Sequence, residues 1–157
     1  MSDKPFKPFR KVVDEVKFTV PGPPKGKQRP RVVSRGGFVR AYTPKETIDY
    51  ENLVRKCYKE QIGDKKLEGP ISATILMYLP IPKSASKKKQ MKMLQGDIMP
   101  AKRIVDIDNG CKSCMDACNG LAFDDDSQVV TLISSKYYSD NPRAEIFLRS
   151  LEDEEKT

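Results

Sequence analysis

Six aspartates fall between positions 106 and 126: Asp106, Asp108, Asp116, Asp124, Asp125 and Asp126, with Lys112 the one cation among them and no glutamate. This window carries −5, the rest of the chain +12, and the whole +7 at pH 7. Short carboxylates set this close repel one another unless a cation neutralises them, and hard oxygen ligands of this kind suit Mg²⁺ or Mn²⁺. A basic body suits a polyanion. A surface that holds phosphates, with an acidic pocket that brings metal to one of them, is what a metal-dependent nuclease requires.

Composition removes several competing chemistries. The chain of 157 residues has no histidine, so serine–histidine and cysteine–histidine nucleophiles and a histidine general base are all excluded. Hydrolysis must then rely on metal-bound water or carboxylates. Three of the four cysteines, Cys111, Cys114 and Cys118, recur at helical spacing on one face, and Cys57 stands alone. Without histidine or a second Cys-x-x-Cys pair, they read as small apolar core residues rather than zinc or iron–sulfur ligands. No run approaches the roughly 20 apolar residues of a membrane span, and the N-terminus lacks a signal-peptide core, so a cytoplasmic protein with no membrane partner is expected.

The elements that must position the acidic centre can be read in order. Residues 1–15 form a basic arm without a period, and 16–20 a first strand stopped by Pro21-Gly22-Pro23-Pro24. Six cations and no acid then lie between Lys25 and Arg40. Lys25, Lys27, Arg29 and Arg31 lead into a hairpin centred on Gly36-Gly37, whose arginines suit a phosphate backbone or, in the plainer reading, a solvated charged ribbon. Thr43-Pro44-Lys45-Glu46 predicts a helix start with a capping box, and Tyr50, Leu53, Val54, Cys57 and Tyr58 its buried face, ending at Gly63. Residues 71–79 read as a central strand ended by Pro80-Ile81-Pro82, and 84–94 as a short helix anchored by Met91 and Leu94. Its lysines, Lys87, Lys88, Lys89 and Lys92, are either a solvated face or a DNA contact. A loop over 96–103 delivers the chain to the acidic centre. Strands over 128–138 and 144–148, joined by a turn at Asp140-Asn141-Pro142-Arg143, close the sheet, and an acidic tail covers 151–157.

Within the centre, residues 104–108 are short and β-prone, which places Asp106 and Asp108 on one side of a strand end. A helix beginning near Asn109, capped by Asp108 or Asn109, stacks Asp108, Lys112 and Asp116 on a wet face and Cys111, Cys114, Met115 and Cys118 on a dry one. A crossover helix then brings Asp124-Asp125-Asp126 back to the strand ending at Asp108, so that three carboxylates converge on metal while Lys112 stabilises a charged phosphate. The competing reading is ordinary helix capping plus a surface acidic loop.

Asp106-Ile107-Asp108-Asn109, Lys112, Asp116-Ala117, Asn119-Gly120 and Asp125-Asp126-Ser127-Gln128-Val129 together resemble the core signature of the RusA family of Holliday junction resolvases, common in phages and prophages. The likeness extends to Pro24-Lys25-Gly26, Arg29-Pro30-Arg31, Tyr42-Thr43-Pro44, Pro80-Ile81-Pro82-Lys83-Ser84 and Tyr137-Tyr138, covering most of residues 16–149. The resemblance implies a Mg²⁺-dependent homodimer, Mn²⁺ substituting, that nicks opposed strands of a four-way DNA junction. It places catalytic aspartates at Asp106, Asp108 and Asp126 and the essential lysine at Lys112. The sequence departs from relatives at Ile104-Val105, where many carry Lys-Pro, and at Gly110, where an apolar residue is usual and glycine should loosen the first helical turn.

The expected architecture is α+β: one domain over 16–150 with a mixed sheet packed by helices, forming a homodimer. Expected metal ligands are Asp106, Asp108 and Asp126, with Asp125 in support. Lys25, Lys27, Arg29, Arg31, Lys87, Lys88, Lys89 and Asn109 are the expected DNA contacts. A less selective nuclease for forks or flaps, and a non-catalytic junction binder, are the rival functions.

Overall fold

Alternation of buried and exposed side chains builds the framework. The computed structural model describes residues 9–102 and 104–156. Its main sheet contains β1 (Val12–Pro21), β4 (Ile71–Pro80), β5 (Val129–Ser139) and β6 (Arg143–Leu151), in the spatial order β1-β6-β4-β5. β4 and β5 run parallel, whereas β6 is antiparallel to both β1 and β4. The sheet is mixed, as expected.

Register turns the alternation into rows. Phe18 lies opposite Ile146, and Ile146 opposite Ile75; Val16, Leu148 and Ala73 form the next row, and Val20, Ala144 and Met77 the one beyond. All nine side chains are buried. They face α1 (Lys45–Gln61) and α3 (Ile107–Cys118), whose buried stripes include Tyr50, Val54 and Tyr58 and, on α3, Cys111, Cys114 and Cys118. Phe18 and Tyr58 meet edge to face, with centroids 5.2 Å apart, a favoured aromatic geometry. The rows end on β5 at Leu132, Ser134 and Lys136, so the core thins toward that edge.

Several local expectations need correction. The first strand begins at Val12 rather than residue 16, because Lys11 carbonyl and Glu152 N–H extend its pairing with the C-terminal segment. Residues 1–8 of the expected arm lie outside the described residues, as do Arg103 in the expected loop and Thr157 in the tail. α1 starts at Lys45 with Pro44 at the cap and no side-chain capping bond. Glu46 instead accepts from Gln28 Nε2 at 3.1 Å, and Thr47 Oγ1 accepts from Gln28 N at 3.1 Å, so tertiary partners replace the expected capping box. Its end is as read, with Gly63 at φ +91°. α2 (Lys87–Leu94) starts later than expected, behind a Ser86 cap, and its buried anchor is Met93 while Met91 and Leu94 are exposed.

A separate two-stranded hairpin, β2 (Arg31–Arg35) and β3 (Phe38–Tyr42), projects from the body with every residue exposed. Gly36 and Gly37 at φ +59° and +83° form its turn, the positive-φ pair that tight hairpins require. Among the described residues, no helix is long and apolar enough to cross a membrane.

Candidate active site

Asp106 is the N-cap of α3, in extended conformation, and its carbonyl accepts the Gly110 N–H at 2.9 Å. The expected strand over 104–108 is absent; Asp108 lies in the first helical turn instead. This changes how the two carboxylates are held. Both sit at the positive end of the helix dipole, which favours anions within the first turn. The Asp106 carboxylate accepts from Asn109 Nδ2 at 3.4 Å, and both aspartates are exposed.

The turn before them is fixed from two sides. Lys136, half-buried on β5, donates to the Val105 carbonyl at 3.0 Å. Gly110 lets the helix settle on β4: a Cβ there would lie 2.3 Å from Met77 Sδ. The glycine expected to loosen this turn is thus what permits its close packing. Lys136 was not anticipated, although it is the only charged residue in β5, a signal the sequence did carry.

Across the helix start runs the basic segment. Lys27 N–H donates to the Asn109 carbonyl at 3.0 Å, and a Cβ on Gly26 would lie 3.1 Å from Asn109 Cβ, so glycine allows the two backbones to approach. Together they wall a cleft of about 750 Å³ that includes Lys25, Arg29, Asp106 and Asn109. Lys25 and Arg29 are exposed at its rim, as is Arg31 just beyond. Lys27 has a different part: its ammonium bonds the Asp116 carboxylate and lies 3.4 Å from Glu51, and the Asp116 bond raises its pKa above the usual lysine value. It joins the cleft wall to α1 and α3. Lys87, Lys88 and Lys89 are exposed on α2, which meets Tyr137 and Tyr138 through its C-terminal residues, at the same end of β5 as Asp106.

Asp108 and Lys112, one helical turn apart, line a second groove with Ile107, Met115 and Leu132. Ile107 and Leu132 are 40% and 49% exposed there, and Val130 on the same edge strand 62%. Asp108 and Lys112 share an exposed strip, and Asp116 is half-buried one turn further on. The opposite face holds Cys111, Cys114 and Cys118 as expected; these three and Cys57 on α1 are free and buried, and burial pushes the Cys118 thiol up to about 12.

Asp126 does not join Asp106 and Asp108 within one chain. Among the described residues, no three Asp, Glu or Cys side chains come together as a metal site. The reason is geometric. A crossover helix carries the chain back across the sheet, so it delivers β5 at the opposite end from its own N-terminus. Lys136, not Val129, is the β5 residue that reaches Val105, and the offset of seven positions from Val129 to Lys136 spans about 23 Å at strand rise. Asp126 opens a short 3₁₀ turn, Asp126–Gln128, immediately before β5. Its neighbours are engaged locally: Asp124 pairs with Lys66 at 2.9 Å, and Asp125 caps the turn and accepts from the Ser127 hydroxyl. That hydroxyl holds the Asp125 carboxyl below the usual carboxylate range. Asp125, the residue expected to support metal, also caps this turn.

Two carboxylates at one helix start still fit a small hard cation, since Mg²⁺ commonly takes one or two protein carboxylates and fills its shell with water and substrate phosphate. A family model described as endodeoxyribonuclease RusA matches residues 21–149. The uncharacterized protein YqaN of Bacillus subtilis (strain 168) is 38% identical over 141 residues, covering 88% of this chain and 99% of that protein.

Proposed function

Since this chain belongs to the RusA endodeoxyribonuclease family, we propose that it is a divalent-metal-dependent enzyme, using Mg²⁺ or Mn²⁺, that resolves four-way DNA junctions by paired nicks. The observation that carries this reading is the Asp106–Asp108 pair at the helix start, exposed beside a cleft rimmed by Lys25 and Arg29. Asp106 and Asp108 are the metal-holding residues of one chain. When bound, the metal supplies a water of lowered pKa and neutralises charge developing on the scissile phosphate.

The chain's own groups do the rest. Lys25, Arg29 and Arg31 hold phosphates on either side of the cut, and Asn109 orients the Asp106 carboxylate through its amide. Lys112, one turn from Asp108, is placed to stabilise a phosphate as it gains charge.

Asp126 enters from a second copy. β5 is an edge strand of eleven residues bearing exposed Val130, Leu132 and Ile133. Such an edge needs a cover, and a two-fold pair places the same patch on both sides. That pairing can bring Asp126 of one copy to Asp106 and Asp108 of the other, giving two equivalent centres for two opposed strands.

The test mixes inactive proteins. Wild type in Mg²⁺ should nick a synthetic four-way junction symmetrically and leave linear duplex intact, while Asp108→Asn and Asp126→Asn each bind without cutting. Mixed and allowed to exchange, the two variants should regain nicking, because each mixed dimer holds one centre with all its aspartates. No recovery would return Asp126 to the same chain's site. Equal cleavage of forks, duplex and junction would leave a less selective nuclease, and binding without cleavage by wild type would overturn the enzyme reading.

A further inference from the structure

We propose that the β2–β3 hairpin is a DNA-engaging arm whose one face grips phosphates with Arg31, Arg35 and Arg40 and stacks Phe38 and Tyr42 on unpaired bases at the branch. This rests on the nuclease reading above and adds the part of the substrate it recognises.

The register sorts the side chains. Arg31 lies opposite Tyr42, Val33 opposite Arg40, and Arg35 opposite Phe38. Directly paired residues of antiparallel strands share a face, and residues two apart along a strand do too. All three arginines and both aromatic rings of the hairpin therefore stand on one side. Val32, Ser34, Val39 and Ala41 make up the other, which carries no charge.

Every hairpin residue is exposed, Phe38 at 81%. A two-stranded ribbon with nothing on either face is marginal by itself, so a face that bares two aromatic rings is one built to be covered. Charge selects the cover. No acidic residue lies between Lys25 and Arg40, and a second copy related by a two-fold axis would set arginines against arginines. A DNA strand supplies the opposite sign, and base–aromatic stacking beside arginines is how proteins hold unstacked nucleotides. Paired duplex would use the arginines and leave the rings idle. The hairpin also follows directly on the basic segment whose Arg29 rims the Asp106 cleft, so a strand held there leads to the carboxylates.

The experiment measures binding in EDTA, where no strand is cut, to a four-way junction carrying 2-aminopurine at the branch, a single-stranded oligonucleotide and a linear duplex. Arg35→Ala/Arg40→Ala should weaken binding to all of them and reduce the salt slope by about two. Phe38→Ala/Tyr42→Ala should weaken junction and single-strand binding about tenfold, abolish the 2-aminopurine fluorescence rise, and leave duplex affinity within about twofold. Val32→Thr/Val39→Thr, on the opposite face, should match wild type. Matching thermal melts for all variants establish that the body is folded. The inference is overturned if the aromatic pair behaves as wild type, if the opposite-face pair loses as much, or if sedimentation shows the aromatic variant falling from dimer to monomer. Wild type that binds no junction overturns this inference together with the proposed function; wild type that binds and cuts while the aromatic variant is unaffected overturns this inference alone.

Discussion

Asp106–Asp108 and Asp124–Asp126 are acidic clusters of similar composition, at opposite ends of the layer formed by α3 and β5. At the first, the carboxylates lie on a helix start whose dipole tolerates them, and local bonding is slight: one 3.4 Å contact from Asn109 to Asp106. At the second, Lys66 takes Asp124, and Asp125 is engaged by the 3₁₀ turn it caps and by the Ser127 hydroxyl. One cluster keeps its charge available to a cation, while two of the other's three members are engaged in holding a turn. Charge density along a sequence therefore overstates how many carboxylates are available to do chemistry.

The largest effect should separate members of the second cluster. Asp126→Asn should lower junction cleavage on the order of a thousandfold, whereas Asp124→Asn should leave it near wild type and change stability by no more than about 1 kcal/mol, as expected of an exposed ion pair. Equal losses from both, in single-turnover cleavage assays, would erase the distinction between engaged and available carboxylates.

Next comes the support of the first cluster. Lys136→Met removes the donor to the Val105 carbonyl, and a small displacement of catalytic groups can cost up to about a hundredfold. The loss should appear in kcat with KM for the junction little changed. A change confined to KM would make Lys136 a substrate contact instead.

Gly110→Ala probes the packing beneath the same turn. Replacing a helical glycine gains about 1 kcal/mol of propensity, but the new Cβ would meet Met77 Sδ at 2.3 Å, and overpacking a filled core costs about 1–3 kcal/mol. Net destabilisation is expected in denaturant titrations. A stabilised variant would show that Met77 yields easily.

The smallest effect belongs to Asp125. Its folded pKa is depressed below 3.8, chiefly by the Ser127 hydroxyl, so its contribution to stability is complete above the unfolded value and fades as pH falls through the folded one. Ser127→Ala should therefore narrow the stability gap between neutral pH and pH below 3.8 in thermal melts. An unchanged acid limb would leave the turn without this charge-assisted bond.

Much of the fold was legible because its signals are local. The run at β4, the glycine pair of the hairpin, the helical spacing of Tyr50, Val54, Cys57 and Tyr58, and the buried cysteine stripe all follow from side-chain period and turn chemistry. The errors arose where a local signal met a tertiary competitor. Glu46 bonds Gln28 rather than capping α1, Met93 rather than Met91 anchors α2, and a β-prone run became a helix start at Asp106. Lys27 reads as a phosphate contact in sequence, yet Asp116 and Glu51 hold it.

What the sequence alone determined is the chemistry: a histidine-free chain with clustered aspartates, one lysine among them and a basic flank, in the order shared by the RusA family. Tertiary structure alone decided which carboxylates stand together. Residue types and their spacing follow from covalent order, but a helix of twelve residues carries the chain about 18 Å, so Asp126 lies just before β5, at the end of the layer away from Asp106, and only the packing of α3 against β5 reveals it.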